Sequence, residues 1–499
     1  MLQTRFLRAA ASSVVAAALA AVPTLAAAQI APAEYAARRE ALLARVDSGV
    51  VVAFGNVEPV NFWPTFMQHP SFLYLTGFEE PDAALVMVKR GGTSSARIYV
   101  PPHDFRREQF SGPRVGPAEV QAHAGIPGHE LGALRAAVDS LVAAGLPLYT
   151  VSDVHTFEYT QEDSLTRGGS FAAALVRGHP GLRAQSLDSV VFRMRGPKSS
   201  GEIALLRRAT QISAAAHRQA MLALAPGCNE GEIQAVLEGT FRRMGGETPG
   251  YGSIVGSGPN ALALHYMRNT RVARAGEVLV IDAATAYQHY TADVTRTLPV
   301  TGRFTADQRA IYQIVLDAQA AFVRQIAPGR TFFQASDSGQ AVVEAGLARL
   351  GLIEAPGATY DGTDCQHGSC RQVDLYTWHG YGGHGIGLEV HDPAQYYTAP
   401  NAFRPGDVFT VEPGIYITPA MLDRLPDTPR NRAMIARLRP VMQRFANIGV
   451  RIEDDYALTA GGLEWLSKDA PRDPDAVEAL MAQPSPPLPG GGTCGTHGG

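Results

Sequence analysis

The sequence carries no strong excess of either charge. Its 43 lysines and arginines stand against 47 aspartates and glutamates, a formal net charge of -4, so the basic surface that nucleic acid or an anionic membrane would need is missing. H-E-x-x-H and G-x-S-x-G are both absent, which removes the usual zincin and serine-hydrolase signatures. "GYGGHG" matches G-x-G-x-x-G, but Pro393 follows soon after and no helical pattern does, so no dinucleotide loop is expected. The apolar run near the start falls short of the roughly 20 residues of a membrane span, because Pro23 interrupts it. No internal repeat is visible. What remains is a small or peptide-like ligand.

At 499 residues with 45% hydrophobic and 18% charged residues, the chain has ample material for a packed interior in two or three domains. Residues 1–28 place Arg5 and Arg8 ahead of an Ala/Val/Leu stretch that ends in Ala26-Ala27-Ala28. This is the order of a cleaved signal peptide, and it predicts export to a bacterial periplasm or beyond, with no membrane anchor. The two arginines are not adjacent, so the signal is not of the twin-arginine kind. Export permits disulfides among the four cysteines. "CQHGSC" predicts a Cys365–Cys370 bridge, with His367 leaving metal binding as the alternative, and Cys228 reads as a buried thiol.

Residues 33–192 alternate short apolar runs such as "VVVAFGN", "AALVMV" and "ARIYVPP" with the helical spacing of "LGALRAAVDSLVAAG", which predicts an α/β domain. Pro197, then Ser199 with Glu202 in capping-box spacing, mark a boundary and a long helix. A second domain, 197–468, combines capped helices with "EVLVIDAATAY", "GDVFTVEPGIYI" and "IGVRIEDDYALT". No helical crossover separates the two arms of the first of these runs from its return, so its sheet is expected to be largely antiparallel and the whole fold α+β. Residues 469–499 are polar, rich in Pro and Gly, and read as a flexible tail.

A hairpin over "LVIDAATAYQHYTADVTR", turned at Tyr287-Gln288, would set Asp282 directly opposite Asp293. Like charges in facing β positions repel, so a proton, an arginine or a metal must compensate. Glu412 in "TVEPG" and Glu453 in "RIEDD" lie within apolar strands, and Arg451 shares a strand face with Glu453. His384 stands among glycines. Four carboxylates, one imidazole and no nearby thiolate suit Mn²⁺ or Co²⁺ and could hold two ions.

On these motifs the second domain resembles the pita-bread metallopeptidases, the family of aminopeptidase P, prolidase and methionine aminopeptidase. The resemblance implies that Asp282, Asp293, His384, Glu412 and Glu453 ligate two divalent cations, Mn with Co or Zn as alternatives. It also implies that a hydroxide shared by the two ions attacks the scissile carbonyl. Glu412 would shuttle the proton, His391 would bind the oxyanion, His265 would orient the substrate and Arg451 would contact it. "SFLYLTGFEEPDAALVMV", residues 71–88, is similar to the amino-terminal domain of aminopeptidase P. That similarity implies a ribonuclease-H-like first domain, a homo-oligomer, and cleavage of peptides with proline at the second position. A prolidase or a non-catalytic peptide-binding relative are the alternatives. Two features depart from the pattern. Gly380 stands where the family often has a histidine, with His379 one place earlier, and segments 360–375 and 419–447 are longer than usual.

Overall fold

Val50, Val52 and Phe54 point to one side of the strand Gly49–Phe54, and Val51 and Ala53 point to the other. All are buried, which is why the run is continuously apolar. The computed structural model describes residues 29–59, 65–152, 166–363, 365, 370–377, 382–392, 402–484 and 494. In the first domain, that strand is central in a six-stranded mixed sheet. It pairs antiparallel with Ala84–Arg90 and parallel with Leu148–Val151. Helices Pro32–Leu43 and Pro70–Thr76 cover one face, and Leu134–Ala143 and Arg167–Gly178 cover the other. The first of these cores continues into the second domain through Leu205, Leu206, Ile386 and Leu388. Burying each leucine contributes about 1.5–3 kcal/mol, so the two domains share a cemented apolar boundary.

Ser199 and Glu202 form the complete capping box of helix Ser200–Ala223, and Thr305 with Gln308 does the same for Ala306–Val323. A third box, Thr331 with Gln334, starts helix Phe332–Arg349. Gly351 follows it in the left-handed conformation, at φ 73°. The strands between these helices are short and antiparallel: Ile254–Ser257, Val278–Asp282 and Thr295–Pro299 form one set, and Val408–Val411, Asp454–Thr459 and Gly462–Trp465 another. Gly414–Tyr416 pairs with Gly449–Arg451, and a bridge from Thr295 to Glu453 joins the sets into one curved surface. The α+β architecture of two domains is therefore as predicted. Among the described residues, no helix is long and apolar enough to cross a membrane.

Three expectations need correction. The hairpin turns at Gln288-His289, with φ 47° and 66°, because a two-residue turn between right-twisted strands needs positive φ at both central positions. Asp282 therefore faces Thr295 rather than Asp293. Secondly, part of the segment expected to be a flexible tail is packed: Pro474–Met481 is a helix with Val477 and Leu480 buried against the second domain's core. Thirdly, Cys228 is not a thiol but is bonded to Cys494, across 266 residues. The Cys365–Cys370 bridge is present as expected. The two long segments pack together, since Asp361 accepts from Thr428 Oγ1 (2.6 Å) and its backbone bonds the Asn431 side chain. Residues 1–28, His367 and His379 lie outside the described residues.

Because closing a long loop restricts the unfolded chain, Cys494→Ser should lower stability by about 2–4 kcal/mol. Denaturant titration of the oxidised protein checks the loss. Peptide mapping without reductant should recover Cys228 joined to Cys494.

Candidate metal centre

The corrected register keeps the two aspartates on one face. Shifting a pairing by two residues preserves the side on which each side chain points, whereas a shift of one would reverse it. Asp282 and Asp293 become diagonal neighbours, which ordinarily stand about 7–8 Å apart, and there is room between them. Tyr251 fills it. Its hydroxyl lies 2.6 Å from Asp282 Oδ1 and 2.6 Å from Asp293 Oδ1. A hydroxyl carries one proton, so it donates to only one of the two oxygens. The other contact needs a proton on the carboxyl or a cation shared with it.

The remaining carboxylates arrive from the second strand set. Glu453 is 1% exposed; its Oε2 accepts from Thr295 Oγ1 at 2.6 Å, and its Oε1 is buried without a hydrogen-bond partner among the described residues. Glu412 is buried as well. His384 presents Nε2 to both groups, 3.4 Å from Asp293 Oδ2 and 3.4 Å from Glu412 Oε1. Its Nδ1 lies 3.1 Å from the Gly385 carbonyl, and donating there fixes the tautomer with Nε2 as a free acceptor. Gly383 is required beside it, because a Cβ there would lie 2.2 Å from the Thr410 carbonyl. One ligand atom each from Asp293, His384 and Glu453 all fall within 4.8 Å of one another. The orphaned Glu453 oxygen, the doubly shared Tyr251 hydroxyl and this convergence of O and N donors fit divalent cations.

The electrostatics point the same way. Burial pushes the Asp293 carboxyl well above its ordinary range, and the charges of Asp282 and Glu412 push further. Glu453 is raised for the same reason, first by burial and then by Asp293 and Glu412. Burial also opposes the charge on Asp282, but the Arg451 guanidinium and the hydrogen bonds from Tyr251 and Arg451 outweigh it and hold that carboxyl low. Arg451 is 2% exposed and lies 2.5 Å from Asp282 Oδ2 and 2.9 Å from Tyr416 Oη. It neutralises the Asp282 carboxylate, and its Nη2 also lies 3.4 Å from the Leu264 carbonyl, next to His265.

His391 stands with its ring centroid 4.0 Å from that of His384, edge to face. Burial lowers its pKa to about 3, with His384 and His265 adding to the effect. His265 occupies an exposed turn after the short helix Gly258–Leu262. Asp454 and Asp455, neighbours of Glu453, have separate tasks. Asp454 pairs with Arg296 and Arg472 (2.7 and 2.6 Å), while Asp455 accepts from the Asp293 backbone N–H and from Thr210 Oγ1. Burial raises Asp455 to about 7. Neither Tyr251 nor Asp455 was expected: Tyr251 comes from an irregular loop with no periodicity, and Asp455 acts on the Asp293 backbone from a strand far away in sequence.

The family model of metallopeptidase family M24 matches residues 204–460, and that of the aminopeptidase P N-terminal domain matches residues 35–149. The chain belongs to metallopeptidase family M24. It is 32% identical to the Xaa-Pro aminopeptidase of Escherichia coli K12, over 90% of this chain and 97% of that one. It is equally 32% identical to Xaa-Pro aminopeptidase 1 of Streptomyces coelicolor, over 90% and 87%. Zinc-substituted E. coli aminopeptidase P in complex with product superposes with a TM-score of 0.75 at 28% identity, covering 91% of this chain and 98% of that one. Proline aminopeptidase P II of Yersinia pestis gives 0.75 at 29% identity, over 91% and 100%. The matched M24 span contains every residue of the carboxylate cluster.

Raised carboxyls in the folded chain make stability pH-dependent. Unfolded Asp and Glu titrate near about 4, so the contribution of Asp293 and Glu453 is fully present below that value and is lost as pH rises through their higher folded values. A divalent cation replaces those protons. The melting-temperature gap between Mn²⁺-loaded and chelator-treated protein should therefore widen from pH 5 to pH 8. Calorimetry in two buffers of different ionisation enthalpy should show net proton release on binding at pH 6.

Proposed function

We propose that this chain is an exported Xaa-Pro aminopeptidase that uses two divalent cations, Mn²⁺ foremost with Co²⁺ or Zn²⁺ as alternatives. The observation that carries this reading is the convergence of Asp293, His384 and Glu453 beside Asp282 and Glu412, in a chain of the M24 family with an aminopeptidase P amino-terminal domain. Asp282, Asp293, His384, Glu412 and Glu453 would hold the ions, with Asp293 and Glu453 central, since each has a ligand atom within 4.8 Å of the other's and of one on His384. Bound there, divalent cations supply Lewis acidity and lower the pKa of water.

The rest of the work falls to side chains. Glu412 Oε1, beside His384 Nε2, is placed to take the proton of the attacking water and deliver it to the leaving nitrogen. His391, neutral down to about pH 3, offers an N–H donor to the developing oxyanion without carrying a competing charge. His265, at the exposed rim, would orient the substrate. Arg451 keeps Asp282 ionised and in place. A proline after the cut makes the scissile bond a tertiary amide with fixed φ and no N–H, a substrate that needs its own shaped site. The order of charged, apolar and small residues over 1–28 supports export to a periplasm or beyond, and a homo-oligomer is part of the same proposal.

Mass spectrometry of Xaa-Pro, Xaa-Pro-Yaa-Yaa, its N-acetylated form and Xaa-Ala-Yaa-Yaa should show release of the first residue from the second peptide only. Cleavage confined to the dipeptide would make the enzyme a prolidase, and equal cleavage of the alanine peptide would remove the proline preference. His391→Asn should lower kcat by about 100-fold, the usual loss for one oxyanion donor, with metal content unchanged.

A further inference from the structure

The segment from His384 to Asp392 carries both imidazoles of the site, His384 and His391; its first residues bond to strand Val408–Val411, but beyond them no helix or strand stiffens it. Its shape is held by Asp392. The Asp392 carboxylate accepts the Leu388 N–H at 2.7 Å, and the Asp392 N–H donates to the Gly385 carbonyl at 2.8 Å, which closes the loop on itself. Gly387 must lack a side chain, since a Cβ there would lie 2.3 Å from Asp392 Oδ2 and 2.7 Å from Lys198 Cε. Asp392 is 1% exposed, and a buried carboxylate persists only if its charge is met.

The charge is met from the interdomain linker. Arg195, also 1% exposed, lies with Nη2 2.8 Å from Asp392 Oδ1 and 2.5 Å from Glu389 Oε2. The Lys198 ammonium donates to the Asp392 carbonyl at 3.0 Å and to the Arg195 carbonyl at 2.7 Å. A buried acid and a partly buried one on the loop thus face two buried bases on the linker. Arg195 Nη1 reaches further, to Ser71 Oγ at 3.3 Å on helix Pro70–Thr76 of the first domain. Tyr74 of that helix donates to the Met194 carbonyl at 2.9 Å. One guanidinium therefore ties the first domain, the linker and the loop that carries His391.

We propose that Arg195 is a positioning residue for His391: by clamping Glu389 and Asp392 from the linker, it aims the imidazole at the reacting carbonyl and makes that aim depend on the first domain. This rests on the reading of His391 as the oxyanion donor. Nη2 meets both carboxylates while Nη1 reaches Ser71, a spread that the single nitrogen of an ammonium does not span, so Arg195→Lys should restore only part of what Arg195→Met loses.

The test is a double-mutant cycle on the full-length, Mn²⁺-loaded enzyme with an Xaa-Pro-Yaa-Yaa peptide. Arg195→Met should lower kcat about tenfold to 100-fold, the range for residues that orient a site from behind, with metal content and KM little changed. In the His391→Asn background the same substitution should cost nothing further, because its effect acts through that imidazole. Glu389→Gln removes one arm of the clamp while leaving the Arg195–Asp392 pair, and should show a smaller loss with the same non-additivity. It carries the test if Arg195→Met does not fold. Losses that multiply in the double variant, or wild-type kcat in both Arg195→Met and Glu389→Gln, would overturn the clamp. Wild-type kcat in His391→Asn would overturn it through its premise, and would leave the metal-dependent peptidase reading to the peptide series.

Discussion

The interaction on which the rest of the second domain depends is the mutual repulsion of Asp282, Asp293, Glu412 and Glu453, buried together against a single arginine. In the interior such repulsion is several times stronger than in water, so the arrangement is unstable as drawn from side chains alone. Protons can relieve it at low pH, and the raised carboxyls of Asp293 and Glu453 express that. Divalent cations bound there would relieve it at neutral pH. The surrounding residues serve this one requirement: Thr295 and Tyr251 fix individual oxygens, Arg451 removes one charge, and Asp455 holds the Asp293 backbone from behind.

How the sheet delivers these groups explains why the fold is built from short antiparallel strands. Side chains alternate along each strand, so Asp282, Glu412 and Glu453 can point into one space while Ile281, Val411 and Ile452 pack into the cores. Helices such as Ser200–Ala223 and Ala306–Val323 back the strands with apolar faces. The first domain abuts this assembly through a shared core, and a single buried guanidinium connects it to the loop of His384 and His391.

Much of this was legible in the residues, and what was not has identifiable causes. The capping boxes at Ser199 and Thr305 announce their helices because each satisfies the orphan backbone groups at a helix start. The carboxylates stood out because acids within apolar strands need a partner. The register of the hairpin was misread by two residues: Gln288 and His289 adopt positive φ without the Asn-Gly that usually signals such a turn. The aspartates stayed on one face only because the error was even. Tyr251, Asp455 and Arg195 act through contacts 31 to 245 residues away in sequence, and no local pattern reports such distances. Cys228 and Cys494 are likewise joined only by the packing of the chain's end.

The central claim is that this carboxylate cluster is completed by two divalent cations. Equilibrium binding of Mn²⁺ to chelator-treated, full-length protein, followed by electron paramagnetic resonance of the free ion, measures the stoichiometry directly. Two ions per chain in the wild type, with both sites weakened by the single substitution Glu453→Gln, is the predicted result. A stoichiometry of zero or one, or two sites untouched by Glu453→Gln, would contradict the account.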